Sequence, residues 1–117
     1  HGDGGLDELS LSGPNRVSEL RDGQVRTFEL DAPKLGLRRA DLVELKGGDA
    51  ADNAAITYRI LRGEEQGPQR DAVLLNAAMG LAVPNGDWAA ALQRARTSLD
   101  SGAALAALER LVDISNR

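Results

Sequence analysis

The segment from Ala72 to Val83 constrains this chain more than any other. Read as a helix, it is apolar on every side except at Asn76, with Gly80 as its only other interruption. A helix that is apolar all round has to be buried, and this one falls far short of the roughly 20 residues that span a bilayer. It is therefore expected to be the most buried helix of a protein interior, running from about Arg70 to Val83 after a start signal at Gly67-Pro68. Asn76 needs partners there, because an unsatisfied buried amide costs on the order of 1–3 kcal/mol. Bridging backbone groups of a neighbouring segment is its expected role, and substrate contact is the alternative. Ala77, Ala78 and Gly80 leave room for a helix or strand to approach closely.

Around that helix the punctuation is clear. Val17–Leu20 and Val25–Leu30 read as strands joined by a two-residue turn at Asp22-Gly23. This turn pairs Leu20 with Val25, Glu19 with Arg26, Ser18 with Thr27 and Val17 with Phe28, so that apolar residues and opposite charges face each other. Asp31-Ala32-Pro33 ends the second strand, and Arg38–Leu45 has the spacing for one or two helical turns. Asp49 is placed to cap a helix from Ala50 to Arg62 that Gly63 stops, with Ala51, Ala54 or Ala55, Tyr58 and Leu61 on its apolar face. Gly47-Gly48-Asp49 lacks the further glycines, lysine and hydroxyl of a phosphate loop, and Asn53 reads as a packing or capping residue. Asp87 caps a third helix with apolar positions 88, 92, 95 and 99, which ends near Gly102. A fourth carries Ala104 or Leu105, Leu108, and Leu111 or Val112 on one face.

Gly4-Gly5-Leu6-Asp7-Glu8-Leu9-Ser10 has a different character. Two adjacent carboxylates lie between apolar Leu6 and Leu9, preceded by glycines and followed by a Ser/Gly/Pro stretch that cannot be a helix interior. Mg²⁺ takes only one or two protein carboxylates and completes its shell with water and substrate phosphates, so such a loop tip suits a metal–pyrophosphate complex. A solvated acidic pair is the plainer reading, since most charged residues are simply exposed.

The formal charge of −4 divides into −3 over residues 1–49 and −1 over residues 50–117. Neither part has the basic footprint that nucleic acid requires, and nothing in the sequence points to a membrane. The absence of cysteine excludes disulfides and thiolate metal sites and accords with a reducing cytoplasm. The chain starts at His1 and its only methionine is Met79, so a fragment of a longer protein is expected.

Four blocks, in order, carry a resemblance. His1-Gly2-Asp3-Gly4-Gly5-Leu6-Asp7-Glu8-Leu9 is similar to the His-Gly-x-x-Gly-Leu-Asp-Glu-Leu segment of the anthranilate phosphoribosyltransferase family. Gly47-Gly48-Asp49 with Asn53-Ala54, then Gly67-Pro68-Gln69-Arg70-Asp71-Ala72-Val73-Leu74-Leu75-Asn76-Ala77-Ala78, and finally Asp100-Ser101-Gly102 resemble later segments of the same family. Leu35 stands where the family has an aromatic residue, and Ala103 where it usually has lysine.

The resemblance implies an α/β fold, the C-terminal portion of a nucleoside phosphorylase/phosphoribosyltransferase-like catalytic domain, here a β-hairpin plus about four helices. It divides into an acidic metal loop (1–13), a hairpin (16–31) and a helical lobe (50–117). It implies Mg²⁺ held by Asp7 and Glu8, with Glu8 bridging two ions, and phosphoribosyl pyrophosphate and anthranilate as substrates of a cytoplasmic, homodimeric parent enzyme of tryptophan biosynthesis. The family's glycine-rich phosphoribosyl pyrophosphate loop, its Lys-His-Gly-Asn segment and its anthranilate-binding arginine have no counterpart here. No catalytic residue is therefore expected within these residues, and the isolated chain is expected to be inactive, with self-association through uncovered apolar faces. A non-catalytic relative of the same fold that binds nucleic acid or another ligand is the competing reading. A pyrimidine nucleoside phosphorylase shares the architecture, but the matched blocks do not resemble it.

Overall fold

Asp22 and Gly23 turn the first regular element back on itself. The computed structural model describes residues 1–117, and in it β1 (Asn15–Arg21) and β2 (Gln24–Leu30) form a two-stranded antiparallel sheet. Both turn residues have positive φ, 51° and 74°, as the mirror-image turn between right-twisted strands requires. The register is the one the sequence predicts, from Val17 opposite Phe28 to Leu20 opposite Val25. The Ser18 and Thr27 hydroxyls lie 3.0 Å apart across it. One face buries Val17 and Leu30, whereas Leu20 and Val25 pair at the exposed turn end.

Four helices follow: α1 (Ala50–Leu61), α2 (Pro68–Ala82), α3 (Trp88–Asp100) and α4 (Ala103–Ser115). Asp49 caps α1 by accepting from the Ala51 and Asp52 N–H groups at 2.9 and 3.0 Å, and Asp87 caps α3 by accepting from Ala90 at 2.9 Å. Each cap satisfies orphan donors of a first turn. Leu74, Leu75, Ala78 and Ala82 of α2 and Ala91, Leu92, Ala95 and Leu99 of α3 belong to one core with Leu9, Leu11, Val17, Leu30 and Ile60. Alanines on both helices let the two backbones come close. No helix is long and apolar enough to cross a membrane.

Three local expectations are refined. α1 packs through Ile56, Ile60 and the predicted Leu61, with Ile60 5% exposed, and not through Ala51, Ala54 or Ala55, which are exposed. Branched aliphatic side chains offer more apolar area than alanine, and Tyr58 instead lies under the Arg62 guanidinium, 5.1 Å from its ring centre. Arg38–Leu45 forms a single 3-10 turn at Leu42–Leu45, the lower end of the one or two turns expected, where the Asp41 N–H donates to the Glu44 carboxylate at 2.8 Å and the Glu44 N–H to the Asp41 carbonyl at 3.0 Å. α2 does hold the most deeply buried helical residues, Leu74, Leu75 and Ala78 at 0% exposure, but it is not covered all round, because Val73, Ala77, Met79 and Gly80 face outward. α4 likewise exposes Leu111 and Ile114, at 62% and 64%. The radius of gyration, 15.1 Å, exceeds the roughly 13 Å expected of a chain this long, in keeping with faces covered on one side only.

Arg21 ties the hairpin to the helices. Its guanidinium donates to Glu19 at 2.7 Å and to the carbonyls of Val83 and Pro84 at 3.2 Å, just past the end of α2. The Arg21 hydrogen bond, with help from the nearby charge of Arg26, holds the Glu19 carboxyl below its ordinary value against a smaller desolvation effect. A carboxylate with a lowered folded pKa contributes stability that is fully present above its unfolded value and is lost as pH falls through the folded one. Glu19→Gln is therefore expected to lower the melting temperature at neutral pH. The gap from the unsubstituted protein should close on acidification, and a gap independent of pH would contradict the pairing.

Candidate metal-binding loop

Leu9, Ser10 and Leu11 are all buried, yet they pair with no strand, since the only sheet is the β1–β2 hairpin. Buried backbone of this kind must find its hydrogen bonds elsewhere. Two asparagine side chains supply them. Asn76, from the middle of α2, accepts from the Leu9 N–H at 2.9 Å and donates to the Leu9 carbonyl at 3.0 Å. Asn15, at the start of β1, accepts from the Ser10 N–H at 2.6 Å and donates to the Ser10 carbonyl at 2.9 Å. Each amide thus does for one residue what a neighbouring strand would do, pairing a donor and an acceptor at once. Asn76 does what the sequence predicts by bridging backbone groups. Asn15 was not singled out from the sequence, and the signal that could have revealed it is the buried-type pattern Leu9-Ser10-Leu11, whose backbone has to be satisfied.

The remainder of the loop closes against this anchor. The Gly2 N–H donates to the Leu6 carbonyl at 2.9 Å, and a Cβ on Gly2 would meet the Glu8 carbonyl oxygen at 2.3 Å, so only glycine allows that approach. Ser12 donates its hydroxyl to Asp3 at 2.9 Å. Arg39 donates to the Ser12 carbonyl at 3.0 Å and to Asp31 at 2.6 Å, joining the loop to the end of β2. His1 and Arg16 exchange backbone hydrogen bonds at 3.0 Å in both directions, which seats the first residues beside β1.

Asp7 and Glu8 project from this braced segment. Both are exposed, and neither takes part in the chain's ion pairs. Their oxygens are hard donors of the type Mg²⁺ prefers, and two carboxylates suit an ion that fills its shell with water and phosphate oxygens. The chain has no cluster of three or more side chains that could cage a metal by themselves, so the donor set fits the ion as one arm of a site. Asn53 stands apart from this region. It accepts from the Gly48 N–H at 2.9 Å and donates to the Gly48 carbonyl at 3.0 Å, closing the loop before α1 as a capping residue.

Comparison with known proteins assigns the class. Residues 1–105 match the family model described as "Glycosyl transferase family, a/b domain", and the chain belongs to that family. Several similar proteins within it share a name. The anthranilate phosphoribosyltransferase of Roseiflexus castenholzii is 53% identical over 99% of this chain and 35% of its own length. The crystal structure of the Thermus thermophilus enzyme of that name superposes with a TM-score of 0.86 at 40% identity, over 100% of this chain and 35% of that one. The Saccharomyces cerevisiae enzyme, in complex with 4-fluoroanthranilate, gives a TM-score of 0.87 at 29% identity over 96% and 33%. A variant of the yeast enzyme with Mg bound gives 0.86 at 30% over the same shares. The chain spans about a third of the length of the curated relatives it matches.

The loop's anchoring can be tested apart from any activity. Asn15 also donates to the carbonyls of Gly13 and Leu30, so Asn15→Ala strands several buried backbone groups at once. At about 1–3 kcal/mol for a buried group left unsatisfied, the expected loss is about 2–4 kcal/mol in denaturant unfolding, and a loss under about 1 kcal/mol would contradict the accounting.

Proposed function

We propose that this chain is the metal-carrying C-terminal part of an anthranilate phosphoribosyltransferase. The enzyme transfers the phosphoribosyl group of phosphoribosyl pyrophosphate to the amine of anthranilate in tryptophan biosynthesis. The observation that carries the reading is the Asp7-Glu8 pair, left without partners at the end of a doubly anchored loop, in a chain about half identical to enzymes of that name. The Mg bound to the yeast variant and the 4-fluoroanthranilate bound to the yeast enzyme support the choice of cofactor and substrate. A cytoplasmic setting and a homodimeric parent go with it.

An aniline nitrogen is a weak nucleophile, so the transfer depends on the C1–pyrophosphate bond loosening as negative charge gathers on the leaving group. Mg²⁺, when bound, neutralises that charge. Asp7 and Glu8 would hold it. The hydrogen bonds on Leu9 and Ser10 keep the carboxylates in place before substrate arrives, which avoids reorganisation during the reaction. The groups that bind the ribosyl phosphate and anthranilate lie outside these residues, so the 117 residues alone do not turn over. The competing reading, a nucleic-acid-binding relative, calls for a basic stripe, whereas this chain has a net charge of −4.

The test is a double substitution, Asp7→Asn with Glu8→Gln, in the full-length polypeptide, assayed across a Mg²⁺ titration at fixed phosphoribosyl pyrophosphate. Product formation is expected to fall and half-saturation to move to much higher Mg²⁺. Unchanged metal dependence would remove both residues from the site.

A further inference from the structure

We infer that Asn76 is a positioning residue for the acidic pair, acting through the backbone of Leu9. This rests on the reading of Asp7 and Glu8 as metal ligands and adds to it a residue far along the chain that touches neither metal nor substrate. Asn76 makes three hydrogen bonds. Its Nδ2 donates to the Ala72 carbonyl one turn earlier in its own helix at 3.0 Å, which fixes the amide's orientation relative to α2. The same nitrogen donates to the Leu9 carbonyl at 3.0 Å, and its Oδ1 accepts from the Leu9 N–H at 2.9 Å.

That N–H belongs to the peptide group whose carbonyl is Glu8's. Asn76 therefore grips one side of the Glu8–Leu9 peptide unit, while Gly2 lies against its carbonyl oxygen on the other, so closely that a Cβ would come within 2.3 Å. Held from both sides, the peptide plane sets the direction in which Glu8, and Asp7 before it, leave the backbone. Filling space in the core would need only an apolar side chain at position 76. A two-point contact to a single residue next to the carboxylates specifies orientation as well. Groups that orient metal ligands from behind commonly affect metal affinity about 10–100-fold when removed.

The experiment measures binding of Mn²⁺ with inorganic pyrophosphate to the full-length polypeptide by titration calorimetry, at a temperature where every variant is folded. Asn76→Ala is expected to weaken binding about 10–100-fold. Leu92→Ala, a core truncation on α3 that leaves every loop hydrogen bond in place, is expected to lower the melting temperature and leave the affinity unchanged. Asp7→Asn serves as the reference for the ligand reading. If Asp7→Asn abolishes binding while Asn76→Ala binds as the unsubstituted protein does, the positioning role is overturned and the ligand reading stands. If Asp7→Asn has no effect, both fall. Should Asn76→Ala fail to fold, the unsubstituted protein decides: adding Mn²⁺-free Mg²⁺–pyrophosphate is expected to shift the Asn76 side-chain amide resonances together with the Asp7 and Glu8 amides. Shifts at Asp7 and Glu8 with an unmoved Asn76 side chain would overturn the proposal.

Discussion

The structure depends on how one short stretch of non-sheet backbone is kept dry. Leu9–Leu11 lies in the core, and two asparagine amides, one from α2 and one from β1, satisfy the donors and acceptors of Leu9 and Ser10. Because each amide engages both groups of a single residue, the stretch is fixed in register and in orientation. Its position also joins the parts of the molecule: α2 holds Leu9, β1 holds Ser10, and the Ala40 N–H reaches the Leu11 carbonyl at 3.2 Å. A loop anchored this firmly can present two like charges to solvent without any ion pair to steady them.

The rest of the packing follows from where apolar surface is available. Alanines and leucines on α2 and α3 form the centre of the core, and the hairpin closes over it through Val17 and Leu30, with Arg21 reaching across to the end of α2. The outward apolar residues of α2 and α4 have no cover within these 117 residues. The same arrangement leaves the two carboxylates of the acidic loop exposed, as the proposed metal site requires.

Much of this was legible in the sequence, for physical reasons that differ between elements. Asp22-Gly23 can adopt few other turns between two strands, so both hairpin and register could be read directly. Asp49 and Asp87 announce helix starts because their carboxylates compete well for orphan N–H groups. The face of α1 was read correctly at Leu61 and misjudged before it, because periodicity gave alanine and isoleucine similar weight, although burial favours the larger side chain. α2 was judged by composition, which cannot say how much of an apolar surface a given length of chain will cover. Asn76 could be flagged as needing partners, but not matched to Leu9, because a contact spanning that much sequence leaves no local pattern. The acidic pair was singled out through the order of family-like blocks; adjacent carboxylates alone look like any solvated surface.

The central claim is that Leu9 and Ser10 are as firmly held as core helix while the Asp7 and Glu8 N–H groups beside them, which have no hydrogen-bond partner, face solvent. Residue-resolved amide hydrogen exchange tests it most directly. The account predicts that the Leu9 and Ser10 amides exchange as slowly as those of Leu75 and Ala78, with Asp7 and Glu8 exchanging far faster. Rapid exchange at Leu9 and Ser10 would contradict it, showing that the asparagine contacts do not hold the loop in solution.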